Sequence, residues 1–145
     1  MPEQEGLGLY QHVGHLLRRL NQQSVEAFLE LSQSQGYAIS PPQYAALLAL
    51  QELGPCSQRR LGQYIAMETS NLHGLLKRMA KQGWLSIGKD PQHHRRSVIY
   101  LEAEGEAVLA VLTPLIEKRN LAVLSKLSDE EQEVFVALLK KLQEV

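Results

Sequence analysis

Cysteine is almost absent from this chain: Cys56 is the single one in 145 residues, which leaves no internal disulfide framework. Set between Pro55 and Ser57, it reads as a small apolar filler at a helix start rather than a redox centre. No apolar run approaches the roughly 18 residues that span a bilayer. The first residues also lack a basic segment followed by an apolar stretch, so the expected location is the cytoplasm, away from any membrane. There is no phosphate-cradling glycine loop, no nucleophile elbow and no carboxylate pair in a recognisable setting, so neither catalysis nor a cofactor is expected. Internal repeats and low-complexity segments are missing too. With 44% apolar and 21% charged residues, the composition is that of a globular protein with a real core.

Overall charge is nearly absent as well, at −1, but its distribution is uneven. From Ser57 to Leu101, eight basic residues (Arg59, Arg60, Lys77, Arg78, Lys81, Lys89, Arg95 and Arg96) face two acids, Glu68 and Asp90, for a net +6. The stretch before it sums to −3 and the stretch after it to −4. A cationic middle between acidic ends suits a protein that meets phosphate with one part and stays soluble with the rest.

Apolar periodicity organises the chain into helices. Leu9, Val13, Leu16, Leu17, Leu20, Phe28 and Leu31 recur at steps of three and four, which predicts a first helix from about Leu7 to Gln33 that ends near Gly36. Ser40 offers an N-cap with Pro41 at the first helical position, and Gly54-Pro55 stops that second helix. Ser57 caps a short third helix that buries Leu61 and Ile65. A fourth, capped by Thr69 or Ser70 and closed by Gly83, buries Leu72, Leu75, Leu76 and Met79. Trp84 to Lys89 and Ser97 to Leu101 read as two strands joined through Asp90-Pro91. From Glu102 the helical pattern returns, with Leu121 and Leu124 among many apolar positions and Pro114 expected to bend it near Ala110 to Thr113. Ser128 and Glu131 form a capping box for a last helix with Val134, Phe135, Leu138, Leu139 and Leu142 on its apolar face.

Two short helices followed by a hairpin with the basic tip DPQHHRR have the shape of a winged helix-turn-helix, so the fold class is mainly α (α+β). In such a domain the second helix enters the major groove. Thr69, Ser70, Asn71, His73 and Lys77 then stand where side chains reach base edges, and an asparagine pairing with adenine discriminates by about 1 to 3 kcal/mol. Arg59, Arg60, Arg78, Lys81 and Arg96 suit phosphates, which hold register. Arg95, with His94 beside it, suits a narrow minor groove. Each of these residues alone would be ordinary solvated surface.

A winged helix-turn-helix is complete in about 60 to 70 residues. Residues 37–101 cover it, which leaves the helices of 1–36 and 102–145 without an obvious partner. The economical partner is a second copy: a homodimer would bury the stripes and set two recognition helices about one DNA turn apart on a pseudo-palindrome. The competing arrangement wraps the terminal helices around their own subunit.

The segments ISPPQYAALLALQELG, SQRRLGQYIAMETSNLHGLLKRMAKQGWL and DPQHHRRSVIYLEAEGEAVL together resemble MarR-type regulators in order and spacing. The resemblance implies a dimeric transcription factor, usually a repressor that leaves its operator, a stretch of double-stranded DNA, when a small phenolic or aromatic acid binds. Wings of the family commonly carry an aspartate and two arginines after the aspartate-proline; here His93 and His94 take the places of the aspartate and the first arginine, and Arg95 that of the second. Thr69 stands where many relatives have arginine. The family's redox sensors carry a cysteine in the first helix, where this chain has none.

For an effector, the resemblance points to the first and second helices. There His15, Arg19, Tyr37 and Tyr44 combine cationic and aromatic groups suited to an aromatic carboxylate. His12 and His15, three apart, have a spacing that allows shared metal ligation, but no cysteine or carboxylate cluster completes a set, so no metal site is expected. Two other readings stay open: a winged helix used only for protein contacts, and a metal-responsive regulator of the same fold.

Overall fold

The computed structural model describes residues 8–144, and side chains throughout that range except at 119–122. A 3-10 turn, Gly8–Gln11, precedes α1 (Val13–Ser34). There follow α2 (Pro41–Leu53), α3 (Gln58–Tyr64), α4 (Thr69–Lys81), the strands β1 (Leu85–Lys89) and β2 (Ser97–Leu101), α5 (Ala103–Val123) and α6 (Asp129–Gln143). The expected start of the first helix at Leu7 lies outside the described residues. Within them the helix is broken at His12, and regular α-helix begins at Val13.

Local chemistry sets most boundaries. Ser40 Oγ accepts from the Gln43 N–H at 3.4 Å while Gln43 Oε1 accepts from the Ser40 N–H at 3.0 Å, so two otherwise orphaned donors of α2 are satisfied reciprocally. Pro41 follows at the first helical position, and Gly54, at φ 76°, ends the helix. Ser40→Ala should therefore lower stability by about 1 kcal/mol in urea denaturation; an unchanged midpoint would remove the cap from the account. Ser57 caps α3 through the Arg60 N–H at 3.2 Å. Ser128 and Glu131 form the expected capping box on α6.

The start of α4 departs from expectation. Thr69 and Ser70 are already helical, and Glu68 occupies the cap position without a side-chain cap bond. The helix-turn-helix corner is the reason: Ala66 sits at φ 55° and the Met67 N–H bonds back to the Gly62 carbonyl at 2.9 Å, delivering the chain into helix by Thr69. At the other end Gln82 is the cap, and Gly83, at φ 80°, takes the left-handed position just beyond it.

β1 and β2 pair antiparallel, with Leu85 opposite Leu101 and Lys89 opposite Ser97. Trp84, expected in the first strand, lies just before it, buried, and its carbonyl accepts the Glu102 N–H at 3.1 Å. Cys56 bridges to Ile99 through both backbone groups, which fastens the base of the hairpin to the chain entering α3.

The chain divides into two compact units, a central one of residues 28–115 and a terminal one of residues 1–27 with 116–145. Among the described residues every buried apolar side chain lies in the central unit, with Leu47, Leu50, Leu61, Leu72, Leu76, Met79, Leu85 and Ile99 at its heart. Ile65 is half-buried rather than buried. In α5, Val108, Leu109 and Leu112 join that core while Val111 is exposed; the side chain of Leu121 lies outside the described residues. Pro114 stands inside the helix. In the terminal unit Leu9, Val13, Leu16, Leu17, Val134, Leu138 and Leu142 are exposed.

Candidate nucleic-acid interface

The whole +6 stretch lies in the central unit. α3 and α4 pack against each other, and the hairpin packs on both. Their junction is tight at Gly62: a methyl group there would stand 3.1 Å from the Met67 carbonyl and 3.2 Å from Leu72 Cδ2, closer than side chains usually pack. Gln58 Nε2 adds a bond to the Thr69 carbonyl at 3.3 Å, tying the first turn of α3 to the first turn of α4.

With Leu72, Leu75, Leu76 and Met79 buried, α4 turns Thr69, Ser70, Asn71, His73, Lys77, Arg78 and Lys81 outward, all exposed. The missing side-chain cap matters here. Because neither Thr69 nor Ser70 is the N-cap residue, their hydroxyls are placed on the first helical turn, together with Asn71 and the positive end of the helix dipole. Arg59 and Arg60 are exposed on α3.

The wing is an ordered turn. The Asp90 N–H donates to the Arg96 carbonyl at 2.9 Å, the His93 N–H to the Asp90 carbonyl at 3.2 Å, and the Arg96 N–H to the His93 carbonyl at 2.8 Å. Asp90 Oδ1 accepts from the Gln92 N–H at 2.9 Å. The backbone of the tip thus satisfies much of its own demand, and His93, His94, Arg95 and Arg96 are all exposed. The acid of this turn, Asp90, is engaged by the backbone.

The effector candidates fall in both units. His15 and Arg19 belong to the terminal unit, Tyr37 and Tyr44 to the central one. Sequence reasoning missed Tyr10, whose ring meets His15 edge-on at 5.4 Å and carries the Arg19 guanidinium 5.3 Å above its centroid. Their spacing carries no signal, since residues nine apart fall on opposite faces of one continuous helix, and the break at His12 lies between them. Tyr44 bonds Thr113 Oγ1 at 2.8 Å and packs on Phe28 at 5.7 Å. Tyr37 is half-buried.

Burial pushes the Cys56 thiol up from its ordinary pKa, against a smaller opposing pull from Arg60, so thiolate is scarce at neutral pH. Among the described residues no three metal-ligating side chains come together, and no helix is long and apolar enough to cross a membrane.

Two helices joined by a tight corner and followed by a basic-tipped antiparallel hairpin define a winged helix-turn-helix domain. A profile of the MarR family matches residues 39–96. The transcriptional regulator HosA of Escherichia coli O111:H- is 32% identical over 128 residues, which are 88% of this chain and 92% of HosA. Among solved structures, a probable transcriptional regulator from Pseudomonas aeruginosa superposes with a TM-score of 0.84 at 34% identity, covering 92% of this chain and 98% of that one. Bordetella bronchiseptica BpsR, whose DNA binding is regulated by 6-hydroxynicotinic acid, gives a TM-score of 0.84 at 26% identity over 92% of this chain and 94% of that one. The chain belongs to the MarR family, and is a transcriptional regulator rather than an enzyme.

Proposed function

We propose that this regulator binds double-stranded DNA as a homodimer through residues 37–101, as a repressor that a small aromatic acid releases from a pseudo-palindromic operator. The observation that carries the reading is the exposed set on α3, α4 and the hairpin, where basic and hydrogen-bonding side chains stand clear of the core. In this reading Thr69, Ser70, Asn71, His73 and Lys77 meet base edges, Arg59, Arg60, Arg78, Lys81 and Arg96 meet phosphates, and Arg95 with His94 enters the minor groove. If six or so phosphates are neutralised, affinity should fall about a thousandfold between 50 and 200 mM salt. Fluorescence anisotropy with duplex DNA across that range tests it. Salt-independent or absent binding would leave a winged helix used for protein contacts.

Support for the dimer comes from the terminal unit. Its described residues bury no apolar side chain, yet Val13 is 69% exposed, Val134 57% and Leu142 80%, an apolar surface that residues 1–36 and 102–145 would cover with a second copy.

For the effector, the regulation of BpsR by an aromatic acid supports the same ligand class. Arg19, held over the Tyr10 ring beside His15, offers a cation and an aromatic surface to such a ligand. In the central unit, Tyr37 and Tyr44 are the aromatic candidates. Salicylate-like acids should raise the melting temperature and reduce DNA binding, and Arg19→Ala should blunt both effects. Calorimetric titration beside the gel shift checks this, and an unaltered response in the variant would take Arg19 out of the site.

A further inference from the structure

We propose that Gly74 is a specificity-determining residue of the DNA interface: its bare Cα, in the middle of the outward face of α4, lets the helix lie deep in the major groove, where a side chain would hold it off. The inference rests on the DNA-contacting reading of α4.

Glycine is, after proline, the residue least suited to a helix interior, because it gives up the most backbone freedom on folding and packs nothing in return. Gly74 nonetheless stands near the middle of α4 (Thr69–Lys81). The fold itself does not ask for it. Its backbone is not left-handed: among the described residues the glycines at positive φ are Gly36, Gly54 and Gly83. Nor is it crowded. Its own helix backbone and chain neighbours aside, a methyl group there would meet only Arg78 Nη1 among the described residues, at 3.4 Å, the far end of a long side chain that can swing away. Gly62 and Gly105 differ, since each faces a backbone carbonyl.

The place of Gly74 on the helix says what the open space serves. Residues three and four apart share a helix face. Gly74, itself half-buried, therefore lies among the exposed Ser70, Asn71, Lys77 and Arg78, on the side away from the buried Leu72, Leu75, Leu76 and Met79. An α-helix with its side chains is about 10 to 12 Å across, and the major groove is about 12 Å wide. That fit leaves little slack, so the side chain in the middle of the inserted face limits how far the helix can enter. Ser70 and Asn71 are short and reach base edges only when the helix backbone comes close, whereas Lys77 and Arg78 can bend toward the phosphates. A bare Cα among them removes the obstacle to close approach.

The test uses a fluorescent duplex selected by the full-length protein from a random-sequence pool, beside an unrelated duplex of the same length. Anisotropy and thermal melting are read for the native protein, Gly74→Ala and Gly74→Leu; both replacements are good helix formers, so neither should lower the melting temperature. Gly74→Ala should bind the selected duplex about tenfold more weakly and Gly74→Leu about a hundredfold, the range that base-edge contacts span. Affinity for the unrelated duplex, which phosphate contacts supply, should change by less than about threefold. Native affinity for the selected duplex in both variants would overturn the inference. So would a lowered melting temperature with equal losses on the two duplexes, because the glycine would then serve the fold. A pool from which the native protein enriches no sequence would instead strike the DNA-contacting reading itself.

Discussion

Arg95→Ala is expected to cost this regulator about 2 kcal/mol of operator affinity, roughly a thirtyfold loss, with almost no change in melting temperature. Two facts give that combination. Arg95 is exposed on a tip whose backbone bonds run among Asp90, Gln92, His93 and Arg96, so removing its side chain disturbs no folded contact. In the proposed reading it also enters the minor groove, where truncation loses a charge-assisted contact. Anisotropy with a selected duplex measures the first effect and thermal melting the second. Arg95→Lys should recover part of the affinity, because the charge persists while the planar fork does not. Full affinity in Arg95→Ala would discard the wing as a DNA contact.

Gly105→Ala should produce the opposite pattern, loss of the fold before any loss of a contact to DNA. On an exposed helix this substitution gains up to about 1 kcal/mol from propensity. Here the added methyl would collide with the Trp84 backbone carbonyl and stand 2.8 Å from Leu101 Cδ1. The carbonyl belongs to the backbone and is fixed by the Glu102 N–H, so it does not yield cheaply. Crowding wins over propensity, and the expected cost is at least about 2 kcal/mol. Trp84, the one tryptophan of the chain, lies against the substituted position, so its fluorescence in urea reports the change directly. A midpoint at or above that of the native protein would sink the prediction.

What could be read from sequence was what local chemistry decides. Ser40-Pro41 and Gly54 bound α2, Ser57 starts α3, Ser128 and Glu131 cap α6, and the periodic Leu72, Leu75, Leu76 and Met79 mark the buried side of α4. Each of these signals acts within about one helical turn. What escaped depends on residues brought together from afar. Thr69 and Ser70 look like caps, but the corner at Gly62 and Ala66 has already set the helix direction. Gly105 looks like an indifferent helix residue until Trp84 is packed beside it. Tyr10 was silent because it meets His15 and Arg19 across the break at His12, outside the helical periodicity.

Cys56 and Ile99 anchor the hairpin at its root, whereas residues 91–95 close a turn that answers mainly to itself. Length and composition at that outer end can change with little strain on the interior. Descendants of this chain are free to lengthen, shorten or recharge the tip while the root stays constant.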